Sequence, residues 1–136
     1  VVGSGVEKGG QMMLHDEILT AIYKKLQPTG IATYKHYHTA TGERFVLLLK
    51  GNFLETLQTA QLWIMMYTPN YNGITPNIAR LGALKAIVTG ALSDTEYTAA
   101  GAPIYLELYN IEGIVTDQAN TNESFQIMRY KITTKE

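Results

Sequence analysis

Cysteine is absent from this 136-residue chain. Its absence excludes disulfide bridges, thiolate nucleophiles and cysteine-ligated zinc. Charged residues are also few: they make up 17% of the chain, where soluble domains usually carry about 25%. This deficit indicates that part of the surface faces another copy or a partner instead of water.

Long hydrophobic runs are missing too. No segment reaches the roughly 18 unbroken apolar residues of a membrane span, so no membrane association is expected. The net charge of −1 lacks the basic footprint typical of nucleic-acid-binding proteins. The segment RYKITTK at residues 129–135 mixes cations with an aromatic residue, as single-strand binders do. Lysines protecting a sheet edge fit it better, so no sequence-specific nucleic-acid binding is expected.

The length predicts a single domain, because domains typically contain about 100–150 residues. Residues 1–11, VVGSGVEKGGQ, are rich in glycine and are expected to be a flexible arm or a remnant of recombinant expression. Residues 12–136 are assigned to one α+β domain.

Hydrophobic periodicity predicts two helices. The first, LHDEILTAIYKKL at residues 14–26, repeats leucine or isoleucine at every fourth position and stops before Pro28. The second runs from Pro76 to about Leu92, with Thr75 as N-cap and Pro76 at the first helical position. Its predicted apolar face consists of Ile78, Leu81, Leu84, Ile87, Val88, Ala91 and Leu92. Gly82 and Gly90 weaken this helix, which indicates that a neighbouring element packs closely there.

Five strands are predicted around these helices. They are IATYKHYH (31–38), ERFVLLLK (43–50), QLWIMMY (61–67), PIYLELYNIEGIVTD (103–117, broken near Gly113) and SFQIMRYKITT (124–134). The first two are expected to form an antiparallel hairpin around TATG. The third is apolar on both faces, as in a central strand covered on both sides. The order α-β-β-β-α-β-β predicts an α+β fold with a mostly antiparallel sheet and two helices packed on it.

The histidines offer the only metal-binding pattern. His36 and His38 share one face of a strand, as zinc ligands sometimes do. A third ligand would have to be His15 or a carboxylate, and the sequence specifies none. Two exposed imidazoles are the favoured interpretation, so no metal is expected.

Catalytic motifs are missing. The serines Ser4, Ser93 and Ser124 do not lie in a nucleophile-elbow context. Glu107 is an acid inside an apolar strand, but period-2 alternation places it with Tyr105 and Tyr109 on a face that could be exposed. No glycine-rich phosphate-binding loop occurs. We therefore expect neither an enzyme nor a bound cofactor.

Residues from about 13 to 134 resemble the tail-completion or tail-terminator proteins of long-tailed bacteriophages. The resemblance is carried by the helix LHDEILTAIYKKL, the strand and asparagine-rich linker LWIMMYTPNYNGITPN, and the helix IARLGALKAIVTGAL. The closing segments EGIVTD and ESFQIMRYKIT complete it.

This resemblance implies a small structural subunit without catalytic residues. It implies a ring of identical copies, expected to be a hexamer, that caps the tail tube and joins it to the neck. The implied partners are the tail tube protein and a head-completion or neck protein. The implied location is the tail–neck junction of the virion, after assembly in the host cytoplasm.

A binding module is the competing interpretation. In that case an apolar ligand would lie between the sheet and the helices, against Trp63, Met65, Met66 and Tyr67. The same residue types are more often ordinary core. The solution mass separates the two interpretations, because a ligand carrier should stay a monomer or a dimer.

Two regions are predicted to contact other subunits. In the linker, Asn72-Gly73 favours a tight turn with positive φ, which would hold Tyr71 at the tip of a projecting loop together with Asn70 and Asn72. On the strands, the interface candidates are Tyr34, Tyr37, Arg129 and Lys131, because exposed strand edges invite pairing.

Overall fold

The computed structural model describes residues 16–35, 41–50, 57–92, 97–99, 102–116 and 122–135. Within these residues two α-helices and a seven-stranded, mostly antiparallel sheet form an α+β fold, which confirms the predicted class. Residues 1–11, the three histidines and Tyr37 lie outside the described residues. The predictions made for them therefore stay predictions.

The element boundaries are as follows. Helix α1 covers residues 16–26, a 3-10 turn covers Gln27–Thr29, and α2 covers Ile78–Ala91. The strands are β1 (Ala32–Tyr34), β2 (Arg44–Lys50), β3 (Leu57–Pro69), β4 (Tyr97–Ala99), β5 (Ala102–Ile111), β6 (Val115–Thr116) and β7 (Glu123–Lys135). Strand β3 thus begins four residues before the predicted start at Gln61, and the predicted break near Gly113 separates β5 from β6.

The sheet is built around its two longest strands. Its order is β1-β2-β3-β7-β5-β4, and β6 pairs with β7 beyond the end of β5. Strands β3 and β7 pair antiparallel over their whole length, from Leu57 opposite Lys135 to Pro69 opposite Glu123. Pro69 ends β3, because proline cannot donate to a ladder.

The predicted hairpin at residues 31–50 is wrong. Strand β1 runs parallel to β2, with Ala32 opposite Arg44. The nine residues between Tyr34 and Arg44 are more than a tight hairpin turn needs, so the chain can return to the end of the sheet where β1 begins before it enters β2. There Glu123 of β7 accepts hydrogen bonds from the backbone N–H of Gly42 and from the Arg44 guanidinium, which anchors the entry to β2.

One face of the sheet carries both helices. Ile18, Ile22 and Leu26 of α1 are fully buried, as the predicted stripe requires. Leu81, Leu84 and Val88 of α2 are fully buried against the same cluster, which includes Phe45, Leu47, Leu62, Ile64, Met66 and Met128. Burying a side chain of this kind contributes about 1.5–3 kcal/mol, so this cluster is the main source of stability.

The opposite face carries a second apolar cluster, formed by Val46, Met65, Tyr67 and Ile127. Strand β3 is therefore apolar on both faces, as predicted. Alternation also separates the residues proposed for a ligand pocket. Met66 belongs to the helix-side cluster, whereas Met65, Tyr67 and Trp63 belong to the other face.

Three expectations for α2 are wrong. The N-cap is Asn77, whose Oδ1 accepts a 3.0 Å hydrogen bond from the N–H of Arg80, because Thr75 is already engaged in a backbone bridge to Tyr71. Ile78 is 66% exposed. Helical side chains point toward the N-terminal end of the helix, so the side chain of a first-turn residue lies beyond the buried stripe. A Cβ at Gly82 or Gly90 would meet nothing within 4 Å, so nothing described packs closely there.

Neither helix among the described residues has the length and apolar content needed to cross a membrane.

Candidate functional site

The candidate site is the connection between β3 and α2, residues 70–77, called here the 70–77 loop. It follows the end of the central strand β3 and lies beside Asn122, the residue before β7. The N–H of Asn70 donates a 2.7 Å hydrogen bond to the carbonyl of Asn122. The loop is thus attached to the sheet where two long strands meet.

A tight turn shapes the loop. The N–H of Tyr71 donates to the carbonyl of Thr75 at 2.7 Å, and the N–H of Ile74 donates to the carbonyl of Tyr71 at 2.9 Å. Asn72 and Gly73, the central pair, have φ angles of 52° and 71°. Two successive positive φ values define the turn type that Asn-Gly favours, which confirms the predicted geometry.

Position 73 requires glycine for two reasons, its positive φ angle and the lack of space for a Cβ atom. A Cβ built on it would lie 3.1 Å from Oδ1 of Asn122, closer than ordinary van der Waals contact. The turn therefore packs tightly against the segment that enters β7, and its conformation is fixed on two sides.

Asn70 faces inward. Its side chain is buried, and its Oδ1 accepts a 2.6 Å hydrogen bond from the Ser124 hydroxyl, which is itself fully buried. Three loop residues were predicted to be in an interface, and one of them, Asn70, is buried and anchors the loop to β7 instead. Tyr71 and Asn72 are the two that face outward.

A buried ion pair lies below the loop. Arg44 donates to Glu123 at 2.9 Å, with side chains only 5% and 4% exposed. The guanidinium also lies 3.9 Å from the centre of the Tyr67 ring. Because the pair links β2 to β7 across the end of β3, it fixes the end of the sheet from which the loop projects.

A second ion pair joins this end of the sheet to α2. Arg80, in the first turn of α2, donates to Glu43 at 2.6 and 2.5 Å, and the Thr68 hydroxyl donates to the same carboxylate at 3.3 Å. The hydrogen bonds from Arg80 lower the pKa of Glu43, and the charge of Arg80 adds to this shift. Both ends of the 70–77 loop are thereby held.

The outward side of this rigid loop is apolar. Tyr71 is 54% exposed, Ile74 is 77% exposed and Ile78, just beyond the loop, is 66% exposed. We call these three residues the loop patch. Sequence reasoning identified Tyr71 but missed the two isoleucines. The signal for Ile74 was its position directly after Asn-Gly, where a side chain has no route to the core.

The strand candidates lie elsewhere. Tyr34 belongs to β1 at one edge of the sheet and is half-buried. The expectation that Arg129 and Lys131 decorate an exposed edge is wrong, because β7 is flanked by β3 and β5. Lys131 is exposed on the face opposite the helices, whereas Arg129 stacks 4.2 Å from the Trp63 ring and pairs with Glu112. Interface roles for these residues stay predictions.

No catalytic constellation emerges from the residues that the structure describes. Among them no group of three or more acids or histidines could hold a metal ion. Glu107 is exposed and lies opposite Lys131 in the sheet, so it lacks the apolar surroundings that a catalytic acid of this kind would need.

The sequence matches no protein-family model, and no curated protein matches it significantly. The function is therefore argued from the loop, the surface of the domain and the resemblance given above.

Proposed function

We propose that this chain is a structural assembly protein of the phage tail-terminator type. In this proposal identical copies, six being the expected number, form a ring that caps the tail tube and joins it to the neck. The tail tube protein and a head-completion or neck protein are the partners, and the tail–neck junction of the virion is the location.

The loop patch is the observation that carries this proposal. Tyr71, Ile74 and Ile78 contribute little to folding because more than half of each residue is exposed. The backbone of the 70–77 loop is nevertheless held by the hydrogen bonds of the turn and by the buried hydrogen bond between Asn70 and Ser124. A tyrosine on a pre-ordered backbone loses little conformational freedom on binding, as interface anchors require.

The position of the loop patch favours a protein partner over a small molecule. It follows the end of a central strand, and all three of its residues are more than half exposed. Small-molecule sites bury most of their ligand in a cleft, whereas protein interfaces use projecting aromatic and aliphatic anchors. An apolar-ligand carrier finds no comparable support, because its four predicted lining residues are divided between two faces of the sheet.

Negative-stain electron microscopy tests the proposal. The purified chain is imaged alone and after mixing with phage tail tubes assembled from the tube protein of the same virus. Closed rings of uniform diameter, seated on one end of each tube, are the expected result. Dispersed single subunits beside bare tube ends would contradict the proposal.

A matched pair of loop variants sharpens this test. Tyr71→Ser combined with Ile74→Ser removes the apolar contact surface and should leave tube ends or neck proteins unbound. Gln27→Ser, an exposed polar change in the 3-10 turn after α1, is the control and should bind as the unmodified chain does. Equal attachment by both variants would exclude the loop patch as the contact.

A further inference from the structure

The sheet has one long open edge, at β5. Strand β4 pairs only with Ala102–Ile104, at the start of β5. From residue 105 to residue 111, β5 has β7 on its inner side and no described strand on its outer side. These seven residues extend over roughly 23 Å, enough for another strand to pair along them.

The side chains along this open stretch are unusual for a solvent-exposed edge. Tyr105, Leu108, Tyr109 and Ile111 are all more than a third exposed, and Glu107 is exposed among them. Natural edge strands are normally short or carry charges, proline or β-bulges, which prevent uncontrolled pairing. This stretch has Glu107 and a register irregularity between Leu108 and Asn110, yet it leaves four large apolar side chains exposed, which favours a strand that is covered by a partner.

The other edge of the sheet is open at the opposite end. Strand β1 covers residues 44–46 of β2, and residues 47–50 have no described strand on their outer side. Each edge thus consists of a short outer strand that covers the beginning of a longer one. Because β5 and β2 run in opposite directions, the two short strands β1 and β4 lie at opposite ends of the sheet.

The two edges match in direction. Pairing is antiparallel from β2 to β3, from β3 to β7 and from β7 to β5, so β5 runs opposite to β2 and to its parallel neighbour β1. When two copies stand side by side in the same orientation, the outer edge of β5 in one copy runs antiparallel to β1 and β2 of the next. Residues 105–111 lie at the level of residues 59–64 of β3, whereas β1 lies at the level of residues 65–67. β1 of the next copy therefore faces the open stretch of β5 when that copy is displaced by a few residues along the strands.

The charges of the two edges are also complementary. Glu107 is the exposed acid of β5, where residues 102–111 contain no base, and it lies opposite Lys131 of its own sheet. The opposite edge carries Lys50 at the end of β2, which stacks on Trp63, and Lys35 directly after β1, which pairs with the exposed Asp16. Opposite charges on facing strands stabilise pairing and select the partner.

We propose, building on the ring function above, that the copies join head-to-tail through these edges. The outer edge of β5 in one copy pairs with the β1–β2 edge of the next, so that the sheets continue from copy to copy. Contacts between two different surfaces of identical subunits close into a ring when the rotation from copy to copy closes, as a terminator requires, and otherwise build an open filament. The loop patch lies at the end of β3, away from both edges, and stays free for the tube or the neck.

Symmetric pairing of two β5 strands is the main alternative. It would bring two copies of Glu107 near one another and would leave the β1–β2 edge unpaired. It would also close at two copies, because a two-fold contact uses the same surface on both subunits. Strand direction permits both arrangements, whereas charge and closure favour the head-to-tail one.

Cysteine cross-linking distinguishes these arrangements without background, since the chain has no cysteine. One variant carries Ala32→Cys on β1 and a second carries Tyr109→Cys on β5, both at exposed positions. Three samples are compared: each variant alone and an equal mixture of the two. All are dissociated, reassembled and then treated with a short bifunctional thiol reagent. Such a reagent tolerates an offset of a few residues in the register.

Head-to-tail pairing predicts covalent dimers in the mixture and none in either variant alone. Cross-linking of the Tyr109→Cys variant with itself would overturn the proposal in favour of symmetric pairing. An oligomer that forms without cross-links in any sample would overturn the edge pairing and leave the ring function standing. A chain that stays monomeric at every concentration would overturn both.

An independent variant tests the same edge. Tyr109→Lys adds a cation that would face the lysines of the next copy, and it should weaken self-association about tenfold or more, the change expected on losing an interface anchor. Ala86→Lys, on the exposed side of α2 above the central strands, is the matched control and should associate normally. Equal association of the two variants would overturn the edge pairing.

Discussion

The helix-side core and the loop end of the sheet are stabilised in different ways. In the core, apolar side chains from both helices and four strands bury one another completely. At the loop end the fixed contacts are polar: a buried ion pair, a bidentate ion pair and an asparagine–serine hydrogen bond. Three apolar residues of this end, Tyr71, Ile74 and Ile78, face outward.

This difference separates what folds the domain from what it presents. Directional polar contacts fix a backbone geometry, whereas apolar burial supplies most of the free energy of folding. The loop end therefore has a defined shape and a large apolar surface that folding leaves unused. Substitutions of buried residues should change the stability of the domain, whereas substitutions of the outward-facing loop residues should change its binding to partners.

Arg44→Met should have the largest effect on stability. It leaves the buried Glu123 carboxylate without its ion partner, and breaking such a pair costs about 3–5 kcal/mol. Urea unfolding measures the loss. Lys50→Met is the control. Lys50 lies in β2 as Arg44 does and also stacks on an aromatic ring, that of Trp63, but it is exposed, so the change in stability should be less than about 0.5 kcal/mol. Equal effects would mean that the pair does not fix the end of the sheet.

Leu84→Ala should have the next largest effect. Leu84 is a fully buried residue of α2, and truncation of a core leucine costs about 2–5 kcal/mol. Ile87 is half-buried, so Ile87→Ala should cost less. Ile78→Ala, in the exposed first turn of the same helix, should stay within about 0.5 kcal/mol. If denaturant midpoints rank these three variants differently, α2 is not seated as described.

Two glycines should respond to alanine with opposite signs. At Gly73 the positive φ and the nearby Asn122 oppose a Cβ, so Gly73→Ala should destabilise the domain by about 1–3 kcal/mol. At Gly82 the space is open and the backbone is helical, so Gly82→Ala should stabilise it by about 0.5–1 kcal/mol. Thermal unfolding of the two variants measures both effects. A loss at Gly82 would indicate a contact with another element.

The Glu43–Arg80 pair should make stability depend on pH in the acid range. Because hydrogen bonds from Arg80 lower the pKa of Glu43, the unfolded chain takes up a proton here at a higher pH than the folded chain does. The stabilisation is complete above the ordinary glutamate pKa and is lost as the pH falls through the lower, folded value. Glu43→Gln should flatten this part of the stability curve. An unchanged slope would show that the pair contributes nothing measurable.

Tyr71→Ala should have the smallest effect on folding. Tyr71 is more than half exposed, so its removal should leave stability within about 0.5 kcal/mol. Attachment to tube or neck proteins should nevertheless be lost, since the aromatic anchor is gone. Co-sedimentation with tail tubes measures attachment, and thermal unfolding provides the control. A variant that unfolds would place the ring of Tyr71 in the core.

The sequence predicted the features that depend on local patterns. The leucine and isoleucine spacing located both helices, the apolar run at residues 61–67 indicated a central strand, and Asn-Gly indicated the positive φ angles. Each of these features is determined within a few residues of chain.

The remaining features depend on contacts that are distant in the sequence. The parallel pairing of β1 is a property of the assembled sheet, and the pairing of β2 with β3 and of β3 with β7 joins segments that are distant along the chain. The loss of Thr75 as an N-cap is an exception, because it accompanies a local bridge to Tyr71. Nor could the sequence show that β7 is central, because strand order is a property of the whole sheet. For the same reason the open edge at β5 could be recognised only after the strands were placed.

Sedimentation velocity of the unmodified chain over a range of concentrations tests most directly whether the exposed surfaces serve assembly. We expect one discrete ring-sized species that exchanges with monomer on dilution, without a ladder of larger aggregates. A single species with the mass of one chain, 15.1 kDa, at every concentration would contradict the proposed ring and the head-to-tail pairing together.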